Sequence, residues 1–90
     1  MRYTWDEKKR AANLKKHGYD FEDAQQIIEG DATVTFEDRR FEYDEQRFVT
    51  LGMLSAVVVV IATAETDEEI RVISLRKAER NEEKIYYSNL

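Results

Sequence analysis

Residues 56–64 read Ala-Val-Val-Val-Val-Ile-Ala-Thr-Ala, and no other stretch limits the fold as tightly. The run is β-branched and apolar on both faces, which suits a central strand covered from both sides. Its wholly apolar part, 56–62, falls well short of the roughly 20 residues a membrane-spanning helix needs. It also lies far from the N-terminus, where a signal peptide would sit.

The flanking patterns supply partners for that strand. Val49, Leu51 and Met53 share one face of 47–53, and Val34 and Phe36 alternate with Thr33 and Thr35. Residues 70–75 form a last strand, with Ile70 and Val72 facing one way and Arg71 and Ile73 the other. Leu54-Ser55 and Thr66-Asp67-Glu68 read as turns, and the polar run 37–46 as a long turn or hairpin end. Ahead of the strands, 3–5 is a short first strand or extended lead-in, and 6–17 a helix stopped by Gly18. Asp20 caps a second helix, with Asp23 three residues on. Its buried face is Phe21, Ala24, Ile27 and Ile28, and Gly30 closes it. A helix over 77–87 ends the pattern, with Ala78, Ile85 and Tyr86 as its buried positions. The expected fold is α+β: N-terminal helices, an antiparallel sheet of three or four strands and a C-terminal helix, the helices gathered against one face. A chain of 90 residues has room for one domain, over 1–90.

Composition narrows the chemistry. The chain has no cysteine, so disulfides and thiolate metal sites are excluded and a reducing cytoplasm is the natural setting. One histidine and scattered carboxylates give no metal-ligand spacing, and three glycines give no phosphate-cradling loop. No metal or other cofactor is expected. The net charge of −5 weighs against a long polyanion, yet it is uneven: +4 over 1–19, −8 over 20–45 and −1 over the remainder. A local phosphate-binding surface is compatible with this balance, because charges are screened over about 8–10 Å. Its best candidate is Arg71-Val72-Ile73-Ser74-Leu75-Arg76, where two arginines flank a serine at a strand end. Arginine binds phosphate through two parallel hydrogen bonds.

Further residues join this segment: Trp5-Asp6, Lys9, Asn13, Lys16-His17-Gly18, Phe21 and Ala24 near the start, then Arg47-Phe48 with Gly52. After Arg71-Val72-Ile73-Ser74 come Arg76-Lys77-Ala78, Glu83 and Tyr86-Tyr87. In this order, along essentially the whole chain, they resemble the BrnT family of bacterial toxin–antitoxin pairs, which is similar in fold to the RelE-type ribonucleases. The resemblance implies a metal-free endoribonuclease that cleaves RNA and arrests growth. It also implies a BrnA-like antitoxin with a ribbon-helix-helix part, through which alone the pair contacts DNA. Thr66 departs from the pattern, standing where many relatives carry arginine.

Metal-free RNA cleavage needs a base for the 2′-OH, a cation for the developing charge and an acid for the leaving oxygen. Arg71 and Arg76 are the first candidates for the cation; the alternative is a solvated arginine on a sheet face, or one paired with Glu65 or Glu69. Trp5, Lys9, Ala12 and Lys16 fall within about 60° of one another on a helix. They offer either an RNA surface of charge and stacking or a solvated face with Trp5 in the core. His17 titrates near neutrality and is a base or acid, or else a favourable charge at a helix C-terminus. Glu65 is the other candidate base, or an arginine's partner. Tyr86 and Tyr87 stack on a base or donate a proton, or anchor the last helix. Two further readings stand beside the ribonuclease: a toxin-fold module that only docks its antitoxin and tunes operon repression, and an unrelated domain that self-pairs through a strand edge.

Overall fold

The computed structural model describes residues 1–40 and 45–90, so part of the expected 37–46 turn lies outside the described residues. The elements are β1 (Arg2–Thr4), α1 (Glu7–His17), a 3₁₀ turn (Phe21–Asp23), α2 (Ala24–Ile28), β2 (Val34–Glu37), β3 (Gln46–Leu54), β4 (Val57–Glu65), β5 (Glu69–Lys77) and α3 (Arg80–Ser88).

The strand order is β1-β5-β4-β3-β2, which puts the doubly apolar run in the middle. Val58, Val59, Val60 and Ile61 are each no more than 4% exposed. Strands β2 to β5 pair antiparallel, but β1 runs parallel to β5, with Thr4 beside Arg71. The sheet therefore has five strands and is mixed, not antiparallel with three or four. Strands β3, β4 and β5 join through short turns, whereas parallel partners need a long connection; between β1 and β5 it is residues 5–68.

The helices lie on both faces, not one. Val59, Ile61, Val72 and Leu75 pack under Phe21, Ala24 and Ile27. On the opposite face Leu51, Val58 and Val60 pack with Ala78 and Tyr86. A strand that is apolar on both sides requires cover on both sides, and the C-terminal helix supplies the second layer.

Local chemistry sets the element ends. The Asp6 carboxylate accepts from the backbone N–H groups of Lys8 (2.8 Å) and Lys9 (3.2 Å), and Gly18 closes α1 at φ 79°. Asp20 accepts from Glu22 N at 3.0 Å, but the segment it caps begins as the 3₁₀ turn before becoming α2. Lys77 pairs with Val59 in the sheet, so the last helix starts at Arg80 and not at 77. On α3, Tyr86 is buried, whereas Ile85 is 42% exposed. The β3–β4 turn is Ser55-Ala56, both with positive φ (50° and 65°). Thr66 holds the β4–β5 turn: its hydroxyl oxygen accepts from Glu68 N (3.3 Å) and Glu69 N (3.2 Å). Among the described residues no helix is long and apolar enough to cross a membrane.

Candidate nucleic-acid interface

A regular strand would send Arg71 and Arg76, five apart, to opposite faces. In β5 the register with β4 shifts at Ile73: Val72 pairs with Thr63 and Ser74 with Ala62, leaving Ile73 as the extra residue of a bulge. The bulge resets the alternation. Arg71, Ser74 and Arg76 consequently share one face, opposite Ala64, Ala62 and Val60 of β4.

Continuing across the register defines that face. One row runs Thr4, Arg71, Ala64, Arg47, and the next Ser74, Ala62, Val49, Phe36. A third runs Arg76, Val60, Leu51, Val34, and here α3 begins to cover the sheet through Tyr86 and Ala78. The remaining surface forms a cleft of about 440 Å³ with Val49, Val60, Ala62 and Ser74 along its floor. Arg76 and Glu82 stand on one side, Asp38 and Arg40 on the other. Alanine and serine keep the floor low; Arg39 and Arg40 join Arg76 around it, and Arg71 and Arg47 stand in the neighbouring row.

Each arginine is oriented by a carboxylate. Arg71 Nη2 donates to Glu45 Oε1 at 2.5 Å, and Arg47 lies 3.8 Å from the same oxygen. Arg76 makes two parallel bonds to Glu82, both 2.8 Å. Glu82 also accepts from Glu79 N at 2.8 Å, at the start of α3. The Arg76 guanidinium holds the Glu82 carboxyl below its usual range, and Glu82 in turn raises Arg76. Neither Glu65 nor Glu69 pairs with Arg71 or Arg76 in the way the sequence offered. Glu69 binds Arg2 at 2.9 Å, and Glu65 lies in register with Ile70 and Gln46 on the opposite face. Burial pushes the Glu65 carboxyl up.

The other expected site residues are distributed around α1 and α3. Trp5 precedes α1 and so stands off the lysine stripe. It packs edge-on against Phe21 (6.5 Å between ring centres), and its indole N–H donates to Glu7 at 2.9 Å. Asn13 is the buried residue of α1 and faces the edge of β5. Relative to it, Arg10 and His17 stand at about +60° and +40°, and Lys9 and Lys16 at about −40° and −60°. Arg10 is held by Asp20 (two bonds of 2.8 Å), on the side of the 3₁₀ turn and α2. His17 shares that flank. Lys9 and Lys16, both exposed, occupy the flank turned away from that layer. Tyr86 is 1% exposed and donates its hydroxyl to Ala32 O at 2.8 Å, the anchoring alternative; Tyr87 is exposed. Among the described residues no group of three or more His, Asp or Glu side chains is placed to hold a metal ion.

Glu45 and Glu82, which pair with the candidate arginines, are not legible in the sequence, and Arg47 carries no assigned role there. Arg47 had a signal, since it alternates with Val49, Leu51 and Met53. The two glutamates had none, because their pairing depends on the register of distant strands.

Arg71, Arg47 and Arg76 thus share one sheet face beside a shallow floor of small and aliphatic side chains, and guanidinium is the side-chain group that matches phosphate with two parallel bonds. The family to which this surface belongs is settled by sequence: the chain is a member of the BrnT family, described as "Ribonuclease toxin, BrnT, of type II toxin-antitoxin system", which matches residues 5–82. A ribonuclease toxin with a protein antitoxin as partner is therefore the general class. No curated protein matches the chain closely enough to add to this.

Proposed function

We propose that the chain is a metal-independent endoribonuclease that arrests growth and is neutralised by a BrnA-like antitoxin with a ribbon-helix-helix part. The fold proposed is RelE-like. The observation that carries the catalytic reading is the bulge at Ile73, which aligns Arg71, Ser74 and Arg76 on one open face.

In this reading the scissile phosphate sits between Arg71 and Arg76, whose guanidinium groups stabilise the extra negative charge of the phosphorane-like state. The 2′ oxygen bonds to phosphorus while the bond to the 5′ oxygen breaks. Glu45, on the arginine face, takes the 2′-OH proton, a role that neither His17 nor Glu65 is as well situated to fill. The departing 5′ oxygen takes a proton from solvent, and Glu45 later returns its own to solvent. The products are a 2′,3′-cyclic phosphate and a free 5′-OH. Lys9 and Lys16 hold the RNA backbone from the side, as point charges.

The test is cleavage of single-stranded RNA by the purified chain with a chelator present, beside Arg71→Ala. Cyclic-phosphate ends from the wild type and none from a folded Arg71→Ala protein are expected. An Arg71→Ala protein that cuts at the wild-type rate would falsify the assignment. A second reading, a module that only docks its antitoxin, is favoured by the carboxylate already seated on each of Arg71 and Arg76. Intact RNA from a folded wild type that still binds its antitoxin supports that reading.

A further inference from the structure

Phe36 is a large apolar side chain left 44% exposed. It points from β2 to the same face as the arginines, at the far end of the row Ser74, Ala62, Val49, Phe36. Resting on the ribonuclease reading, we infer that Phe36 is a stacking platform for an RNA base, fed by the apolar strip that runs to it from Ser74.

Three observations carry this. The strip is continuous with the arginine-lined surface, so a strand whose phosphate lies at Arg71 and Arg76 has a path to Phe36. The neighbours of the strip across the sheet, Ala64 on one side and Val60 and Leu51 on the other, are buried, so its accessible apolar part is narrow, and ion pairs flank it: Arg76 with Glu82, and Asp38 with Arg40. A planar base, with an apolar face and a polar edge, fits such a strip, whereas an amphipathic helix needs an apolar groove several side chains broad. Finally, Phe36 stands three strand spacings from Ser74, or about 14 Å. That is beyond the reach of the bases on either side of the scissile phosphate, so the platform serves a nucleotide further along the strand. Stacking on an aromatic ring tolerates any base, so Phe36 adds affinity for single strands without sequence preference.

The experiment measures fluorescence anisotropy of a labelled 2′-O-methyl hexanucleotide, which cannot be cleaved, with a dinucleotide as the short probe. Wild type, Phe36→Ala, Phe36→Leu and Phe36→Trp are compared after their thermal transitions show that each is folded. Phe36→Ala and Phe36→Leu are expected to bind the hexanucleotide about tenfold more weakly, with Phe36→Trp at or above wild type. The dinucleotide is expected to distinguish none of them. Wild-type affinity in Phe36→Leu would overturn stacking in favour of mere apolar bulk, and wild-type affinity in Phe36→Ala would remove the platform altogether. An equal loss on the dinucleotide would also overturn it, by placing the effect at the phosphate. Phe36-dependent binding by a protein that cuts no RNA sinks the ribonuclease reading and leaves the platform standing; cleavage with binding indifferent to Phe36 does the reverse.

Discussion

The side-chain amide of Asn13 occupies both backbone groups of Leu75: Nδ2 donates to Leu75 O at 2.7 Å, and Oδ1 accepts from Leu75 N at 3.3 Å. Strand β1 covers β5 only from Glu69 to Arg71, so beyond that point one edge of β5 has no strand partner. Asn13 stands in for one residue of the missing strand, and its Nδ2 also bonds Tyr19 O at 3.2 Å. The contact ties α1 to the strand that carries both arginines.

Asn13→Ala leaves the Leu75 N–H and C=O buried beside a helix without partners. The expected loss is about 2–3 kcal/mol of folding stability, measured by urea denaturation. Amide exchange at Leu75 should accelerate as well. A change within about 0.5 kcal/mol would mean that water replaces the amide without penalty.

The Ser55-Ala56 turn places two residues with side chains in left-handed backbone conformations, φ 50° and 65°. A two-residue hairpin of this kind favours Asn-Gly, which adopts such angles with little strain. Replacing Ser55-Ala56 with Asn-Gly should raise stability by about 1–2 kcal/mol. The thermal transition of the double variant decides this, and a lowered midpoint would show that the native pair makes compensating contacts.

Gly52 faces the helical layer where Ile27 of α2 comes closest. A Cβ built there would meet the Ile27 Cγ2 methyl at 2.5 Å. Ile27 is a core residue, 4% exposed, and its branched methyl has little freedom to move. Gly52→Ala should cost about 1–3 kcal/mol through overpacking. Pairing it with Ile27→Ala should recover part of that loss, and strictly additive losses would disprove the clash.

Glu82 makes the arginine surface sensitive to pH. Its carboxyl is held below the ordinary value of 4.5 by Arg76. A carboxyl lowered in the folded state contributes stability above its unfolded value, and that contribution is lost as pH falls through the folded value. Stability should therefore decline as the solution is acidified below about 4.5. Glu82→Gln should be less stable at neutral pH and flatter in that acid range. Freeing Arg76 should also tighten RNA binding several-fold at neutral pH, since charge-assisted bonds to carboxylate and phosphate compete for one guanidinium. Unchanged RNA affinity would show that Arg76 does not reach the phosphate.

The elements most legible in the sequence are those fixed by local chemistry. Asp6 and Gly18 bracket α1, and the apolar run marks β4 as central; both depend on neighbours within a few residues. The parallel pairing of β1 was not readable, because Arg2–Thr4 is too short to show alternation and its partner lies at the other end of the chain. The late start of α3 follows from Lys77 pairing with Val59, a contact between strands that a helical reading of 77–87 overlooks. The candidate arginines are legible by residue type, but their partners Glu45 and Glu82 are not. Opposite charges are common along this chain, and only the folded register selects which of them meet.

The extra residue at Ile73 works as a change of phase in β5. Upstream of it, odd-numbered Arg71 belongs to the exposed surface; downstream, even-numbered Ser74 and Arg76 do. A related strand without the insertion would reach the same surface only with its arginines an even number of residues apart. Removing one residue between Arg71 and Arg76 would therefore preserve the surface if the bulge vanished with it, and invert half of the strand if the bulge remained.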